Sequence, residues 1–192
     1  LPQTARNELV TNLFELLFKE AFQFKLVQTD PNFANYLYQK ETEKIVLLDF
    51  GATRRFGDVI SEGYQKLLTA ALNSNQDGVS DAMEQIGFFS EHIFPEQKAA
   101  VVNMVMTACE PIQYDGDYDF GNTDLGSRIH EAGMALSMEQ GYWHTPPADA
   151  LFLHRKIGGL FLLAARLSAK VNLREVFKPF QWETPPTCKR AG

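Results

Sequence analysis

Apolar residues at Leu9, Leu13, Phe14, Leu17, Ala21 and Phe24 recur at helical spacing. They predict one long helix over Ala5 to Val27, with Thr4 as candidate N-cap. The period then changes. Tyr36-Leu37-Tyr38 and Ile45-Val46-Leu47-Leu48 are short apolar runs around the polar stretch Gln39 to Lys44. That order predicts a small β-hairpin. The second run is continuously apolar, which predicts a strand buried on both faces.

Beyond Gly57 the apolar stripes are helical. Ile60, Tyr64, Leu67, Leu68 and Ala71 form one, and Val79, Met83 and Ile86 a second, with Asp77 as its expected cap. Ala99, Val102, Val105, Met106 and Cys109 form a third, entered through Pro95, a residue suited to a first helical turn. Leu125, Ile129, Ala132 and Leu136 form a fourth. Leu151 to Leu167 is the most apolar stretch and is expected at the centre, after Thr145-Pro146-Pro147. Leu173 to Phe177 adds a last turn. Gln181 to Gly192 lacks periodicity and reads as a flexible tail. The whole is mainly α with a small β-hairpin, and the hairpin must pack on helices because alone it is marginal in water.

Composition narrows this little. A chain of 192 residues suits a single domain, and 45% hydrophobic with 22% charged residues excludes wholesale disorder. Lys and Arg number 18 against 24 Asp and Glu, a net charge of −6, so no nucleic-acid partner is expected. Two cysteines, Cys109 and Cys188, make no disulfide framework and lack metal-ligand spacing, which favours a reducing compartment. No apolar run reaches the roughly 18 residues of a membrane span. Leu1 to Phe24 carries Glu8, Glu15, Lys19 and Glu20 and is no signal peptide. The chain opens on Leu1 rather than Met and reads as a fragment or a processed product.

The flanks of the hairpin carry the candidate chemistry. Asp30 precedes the first strand, Asn35 follows five residues later, and Asp49 ends the second strand within Asp49-Phe50-Gly51. A hairpin joins its own ends, so the three are expected to converge on one edge. Two carboxylates and an amide oxygen suit a hard cation such as Mg²⁺ held together with phosphates. The order D-x₄-N, then DFG, is that of a protein-kinase catalytic centre. There the first Asp positions or deprotonates the nucleophile, and the Asn and second Asp hold metal. The bland reading is an Asp- and Asn-rich turn capping a hairpin; order, spacing and the buried strand together favour the catalytic one. DFG recurs at Asp119-Phe120-Gly121, with no D-x₄-N shortly upstream and no buried strand leading in, and is read as a loop.

Other residues read plainly. His92, His130, His144 and His154 share no ligand spacing, and His154 is expected to hydrogen-bond within the bundle. Gly158-Gly159 is expected at a close helix contact. Glu110, Asp115, Asp117, Asp119 and Asp124 form an acidic stretch, expected as a solvated loop, whose spacing is not that of an EF-hand. Phe14, Phe22 and Phe24 are expected in the core.

Gln28-Thr29-Asp30-Pro31-Asn32-Phe33-Ala34-Asn35, followed by Leu48-Asp49-Phe50-Gly51-Ala52-Thr53-Arg54, resembles the core of the UbiB/AarF family of atypical kinase-like proteins. Leu153-His154-Arg155-Lys156-Ile157-Gly158-Gly159 resembles that family's late helix. The resemblance runs from about Arg6 to Phe180. It implies a protein-kinase-like C-terminal lobe over residues 1–180, with a catalytic loop at 28–35, the DFG at 49–51 and a helical bundle at 58–180, then the tail at 181–192. It implies ATP and Mg²⁺ as cofactors and a role supporting ubiquinone (coenzyme Q) biosynthesis. It assigns Asp30 as the catalytic Asp, and Asn35 and Asp49 as the metal- and nucleotide-binding pair.

Departures from ordinary protein kinases shape the expected activity. Gln28 and Thr29 replace His-Arg, Asn32 stands where a Lys assists transfer, and no Ala-Pro-Glu follows. ATP hydrolysis, or phosphorylation of a small or lipid-like molecule, is therefore expected over protein phosphorylation. The chain holds no Gly-rich phosphate loop, no strand-borne Lys for phosphates, and neither the Lys-x-Gly-Gln signature nor the alanine-rich loop of the family. Expected partners are thus an amino-terminal lobe of the same protein, a small-molecule or lipid-like substrate, and ubiquinone-biosynthesis proteins or a membrane surface. The chain by itself is expected to be inactive. The implied location is the bacterial cytoplasm, including the periphery of the inner membrane, or the mitochondrial matrix. Two other functions compete: a small-molecule phosphotransferase of the aminoglycoside/choline kinase type, whose usual His-Gly-Asp opening is missing here, and a non-catalytic pseudokinase-like interaction module.

Overall fold

The computed structural model describes residues 1–30, 32–42, 44–138 and 144–183. Helix α1 (Gln3–Phe18) buries Val10, Leu13, Phe14, Leu17 and Phe18, one stripe at helical spacing. It starts at Gln3, so Thr4 lies inside it and caps nothing; Pro2 holds the N-cap position. The expected continuation to Val27 does not form. The helix widens into a π-helical turn, Lys19–Phe24, and stops at Lys25, whose φ of 50° is left-handed. Ser61 Oγ donates to the Ala21 carbonyl at 2.6 Å, which satisfies one carbonyl of the widened turn. Phe24 is consequently 58% exposed rather than in the core.

Strand β1 (Leu26–Gln28) pairs antiparallel with a later strand, β4 (Thr53–Arg55), with Val27 opposite Arg54. Between them lies the predicted hairpin, β2 (Tyr36–Gln39) and β3 (Lys44–Leu47), in the register Tyr36↔Leu47 and Tyr38↔Ile45. The expected two-sided burial of its second run is not found. Ile45 to Leu47 are half-buried and Leu48 is exposed. A two-stranded ribbon lies on the helices with one face and leaves the other open.

The helical remainder begins with α2 (Asp58–Leu72) and α3 (Gln76–Ile86), packed on each other. They approach so closely at Gly63 that a Cβ there would lie 2.5 Å from Ile86 Cγ1. Asn75, not Asp77, caps α3: its side chain accepts from the Gly78 amide at 3.0 Å, and Asp77 sits within the first turn. Helix α4 (Pro95–Ala108) opens on Pro95 as expected, and a short α5 (Glu110–Gln113) follows. Then come β5 (Tyr118–Asp119), α6 (Leu125–Met138), α7 (Ala148–Arg166), β6 (Lys170–Val171) and α8 (Leu173–Phe177).

The centre of the molecule differs from expectation. Helix α7 buries Ala150, Leu153, Lys156, Leu160 and Ala164 but leaves Leu151 and Leu162 exposed, so it flanks the core. Helix α1 is the hub, in contact with α7, α8 and β6. Gln3 Nε2 donates to the Ser168 carbonyl at 2.8 Å, and Asn7 Oδ1 accepts from the Lys170 amide at 2.9 Å. The second DFG is not a plain loop. Asp119 belongs to β5, which pairs with β6, and Phe120 is buried, stacked on Phe14 with ring centroids 5.8 Å apart. The acidic stretch is likewise countered by bases: Arg128 pairs with Glu110 and Asp124 at 2.7 and 2.6 Å, and Lys170 with Asp119 at 3.1 Å.

Gly158 is at no close contact. A Cβ there would meet nothing within 4 Å, and the residue lies on a mainly apolar cavity of about 330 Å³. Cys109 is a buried thiol that burial pushes up to about 12, which leaves it inert; Cys188 lies outside the described residues. So do residues 184–192 of the expected tail. Its first residues pack on α2, where the Trp182 amide donates to Thr69 Oγ1 at 2.8 Å.

Candidate functional site

The segment from Gln28 to Asn35 is shaped by its own short polar side chains. Asp30 Oδ1 accepts from the Asn32 amide at 3.3 Å, and Asn32 Oδ1 accepts from the Ala34 amide at 3.0 Å. The second bond caps a 3₁₀ turn, Phe33–Asn35, that delivers the chain into β2. Asn35 then turns back: its Nδ2 donates to Asp30 Oδ2 at 2.9 Å. Its carbonyl accepts from the Leu48 amide at 2.9 Å, one residue before Asp49. Asp30 and Asn35 are thus bonded directly, and Asp49 is held to Asn35 through the backbone of Leu48.

Asp49 opens a tight turn. Its Oδ1 accepts from the Gly51 amide at 2.7 Å, and a Cβ on residue 51 would stand only 3.1 Å from that oxygen. The Phe50 carbonyl accepts from the Thr53 amide and from Thr53 Oγ1, and the chain enters β4. Thr29 straps the two halves together, donating to the Ala52 carbonyl through its amide at 3.1 Å and its Oγ1 at 2.7 Å. Arg54 then reaches α7, where it binds Asp149 at 2.8 Å and lies over the Phe152 ring. Two residues on, Phe56 is buried in the core.

The donor set fits a hard cation. Asn35 Oδ1 and Asp49 Oδ2 accept no hydrogen bond among the described residues. Both are oxygen ligands of the kind Mg²⁺ takes, and two protein ligands plus phosphate oxygens and water is its usual complement. No cluster of three or more His, Cys, Asp or Glu side chains among the described residues could hold a metal by protein ligands alone. Leu48 and Phe50, on either side of Asp49 in the chain, are exposed, as are Phe24 and Leu26 shortly before Gln28.

His154 bonds to Tyr64, Nε2 to Oη 2.6 Å, within the bundle as expected. Three groups behind the site escaped the sequence reading. Lys156 of α7 is buried beneath the hairpin, with Glu20 of the π-helical turn and Tyr36 of β2 around it. A signal was present. Lys156 falls on the stripe of Leu153 and Leu160, and Glu20 on that of Leu13 and Leu17. A charge at a core position demands a partner.

Residues 2–83 match the ABC1 atypical kinase-like domain. Over 178 residues the chain is 35% identical to the rat protein "Atypical kinase COQ8B, mitochondrial", covering 93% of this chain and 33% of that protein. It is 37% identical to "Atypical kinase COQ8, mitochondrial" of Saccharomyces cerevisiae, covering 92% and 35%. The chain spans about a third of the length of these curated relatives. Among solved structures, Rv3197 of Mycobacterium tuberculosis, determined with erythromycin, aligns over 93% of this chain and 44% of that one. The TM-score is 0.62 at 17% identity, a likeness of fold: both are kinase-like.

Proposed function

Because the chain belongs to the ABC1, or UbiB, family of atypical kinase-like proteins, we propose that it is the ATP- and Mg²⁺-binding catalytic lobe of an atypical kinase or ATPase that supports coenzyme Q biosynthesis. The observation that carries this reading is the joined geometry of Asp30, Asn35 and Leu48-Asp49, with one oxygen each of Asn35 and Asp49 left for a cation. Bound Mg²⁺–ATP would supply the transferable phosphoryl group and neutralise its charge. Asn35 and Asp49 hold the cation. Asp30, oriented by Asn35 Nδ2 and the Asn32 amide, positions the attacking hydroxyl or water and accepts its proton.

A second lobe of the same protein would supply the phosphate-gripping loop and lysine. The exposed Phe50, Leu48, Leu26 and Phe24 supply an apolar seat beside the site for such a lobe. The names of the COQ8 relatives support the mitochondrial matrix as its location over the bacterial cytoplasm. No helix among the described residues is long and apolar enough to cross a membrane. The substrate under this reading is a small or lipid-like molecule.

The test is a pair of variants in the full-length protein. Asp49→Asn abolishes Mg²⁺-dependent nucleotide binding. Asp30→Asn spares binding and lowers turnover about 10²- to 10⁴-fold, the usual reach of general-base chemistry. Wild-type binding and turnover in both variants would refute the assignment. Nucleotide binding without any turnover in the parent protein would identify a pseudokinase instead.

A further inference from the structure

Lys156 is 3% exposed, and the catalytic reading gives it no role. An ammonium so placed is unfavourable unless other groups take its protons. Tyr36 Oη lies 2.6 Å from Nζ, Gln28 Oε1 3.4 Å, and the Glu20 carboxylate 3.7 Å. The first two partners bracket the site. Gln28 stands two residues before Asp30, and Tyr36 directly after Asn35.

Chemistry gives these bonds a direction. An ammonium has donors and no acceptor. It therefore turns the Gln28 amide so that Oε1 faces Lys156. The Nε2 end must then point the other way, and there it donates to the main-chain carbonyl of Asp49 at 3.3 Å. Glu20 stands outside this relay. Its Oε2, 3.7 Å from Nζ, is buried and has no hydrogen-bond partner among the described residues. Its contribution is charge: it neutralises Lys156 where water cannot.

We infer that Lys156 is a positioning residue: by orienting the Gln28 side chain and gripping Tyr36, it sets the spacing of Asp30 and Asn35 from Asp49. The role rests on the proposed nucleotide site, yet the ordering it produces is measurable without nucleotide. The place held by His in ordinary protein kinases is here held by an amide that needs a cation to face the right way.

The experiment compares Lys156→Met with Lys156→Met/Glu20→Gln in the full-length protein. The single variant strands the Glu20 carboxylate and melts well below the parent. The double variant removes both charges and melts within a few degrees of it. Three quantities are read: melting temperature, hydrogen exchange at the Leu48, Gly51 and Thr53 amides without nucleotide, and turnover. In the double variant we expect exchange at least tenfold faster at those amides and turnover at least tenfold slower, despite recovered melting. Turnover that recovers together with melting would make Lys156 a stability element and overturn the inference. Unchanged exchange at the three amides would overturn it too. Should the double variant fail to fold, Gln28→Glu serves: its carboxylate still accepts from Lys156 but cannot donate to Asp49. Tenfold faster exchange is again expected, and parental exchange would overturn the role. A parent protein that binds no Mg²⁺–nucleotide refutes the proposed site alone, because the exchange result stands or falls without it.

Discussion

Asp49 and Asp119 make the same local bond. Each accepts the amide of the glycine two residues on, at 2.7 and 3.1 Å. The tripeptide encodes that turn and nothing more, which is why it occurs twice. The surroundings differ. A Cβ at residue 51 presses only on the Asp49 carboxylate, whereas one at residue 121 would lie 2.8 Å from the backbone Cα of Ser168. Gly51→Ala should therefore leave stability within about 0.5 kcal/mol, as surface changes do, while lowering nucleotide affinity severalfold. Gly121→Ala should destabilise by about 1–3 kcal/mol through overpacking, with affinity intact. Denaturant midpoints and nucleotide titration separate the two. Asp119→Asn, opposite Lys170 at the surface, should keep affinity within about twofold. In sequence the copies differ in that D-x₄-N stands shortly before Asp49 and not before Asp119. The burial of Phe120 was not readable there, because its neighbours Phe14 and Phe161 are remote in sequence.

Elements were readable in their middles and less often at their ends: α4 opens on Pro95 and α8 spans Leu173–Phe177 as read, but the end of α1 and the cap of α3 differ. The stripes of α1, α2 and α3 follow from 3.6-residue spacing. The end of α1 does not, because Lys25 turns left-handed and Val27 leaves for a strand partner about 27 residues away. The π-helical turn before Lys25 takes a hydrogen bond from Ser61 of another helix. Ser61→Ala leaves the Ala21 carbonyl buried without that bond, and should lower unfolding free energy by about 1–3 kcal/mol in urea titrations. The start of α3 gives a sharper comparison. Asn75→Ala should cost about 1 kcal/mol, the usual value of a side-chain cap. Asp77→Ala removes only a charge near the helix N-terminus, worth about 0.3–1 kcal/mol at low salt and less at high salt. Equal losses at high salt would return the cap to Asp77.

At the scale of the whole molecule, Glu20 gives folding a pH dependence. Burial raises its carboxyl above the ordinary value of 4.5, against the lowering pull of Lys156. The folded state thus holds the proton more tightly than the unfolded chain does. Its contribution to stability is complete below about 4.5 and declines as pH rises through the folded value. Glu20→Gln should remove that decline, so the stability of the variant relative to the parent should increase with pH above 4.5, measured by denaturant titration at successive pH values. The hub role of α1 was the least readable property, because no local pattern announces partners so far along the chain. Gln3 waits for Ser168 and Asn7 for Lys170, separations of 165 and 163 residues. At roughly 5–20 residues per second, a ribosome takes on the order of ten to thirty seconds to travel that far. Through that interval the apolar stripe of the first helix emerges before the surfaces that will cover it. Nascent chains of this protein should therefore be clients of a chaperone that holds amphipathic helices, released only when synthesis has passed residue 170 and the exit tunnel has cleared it.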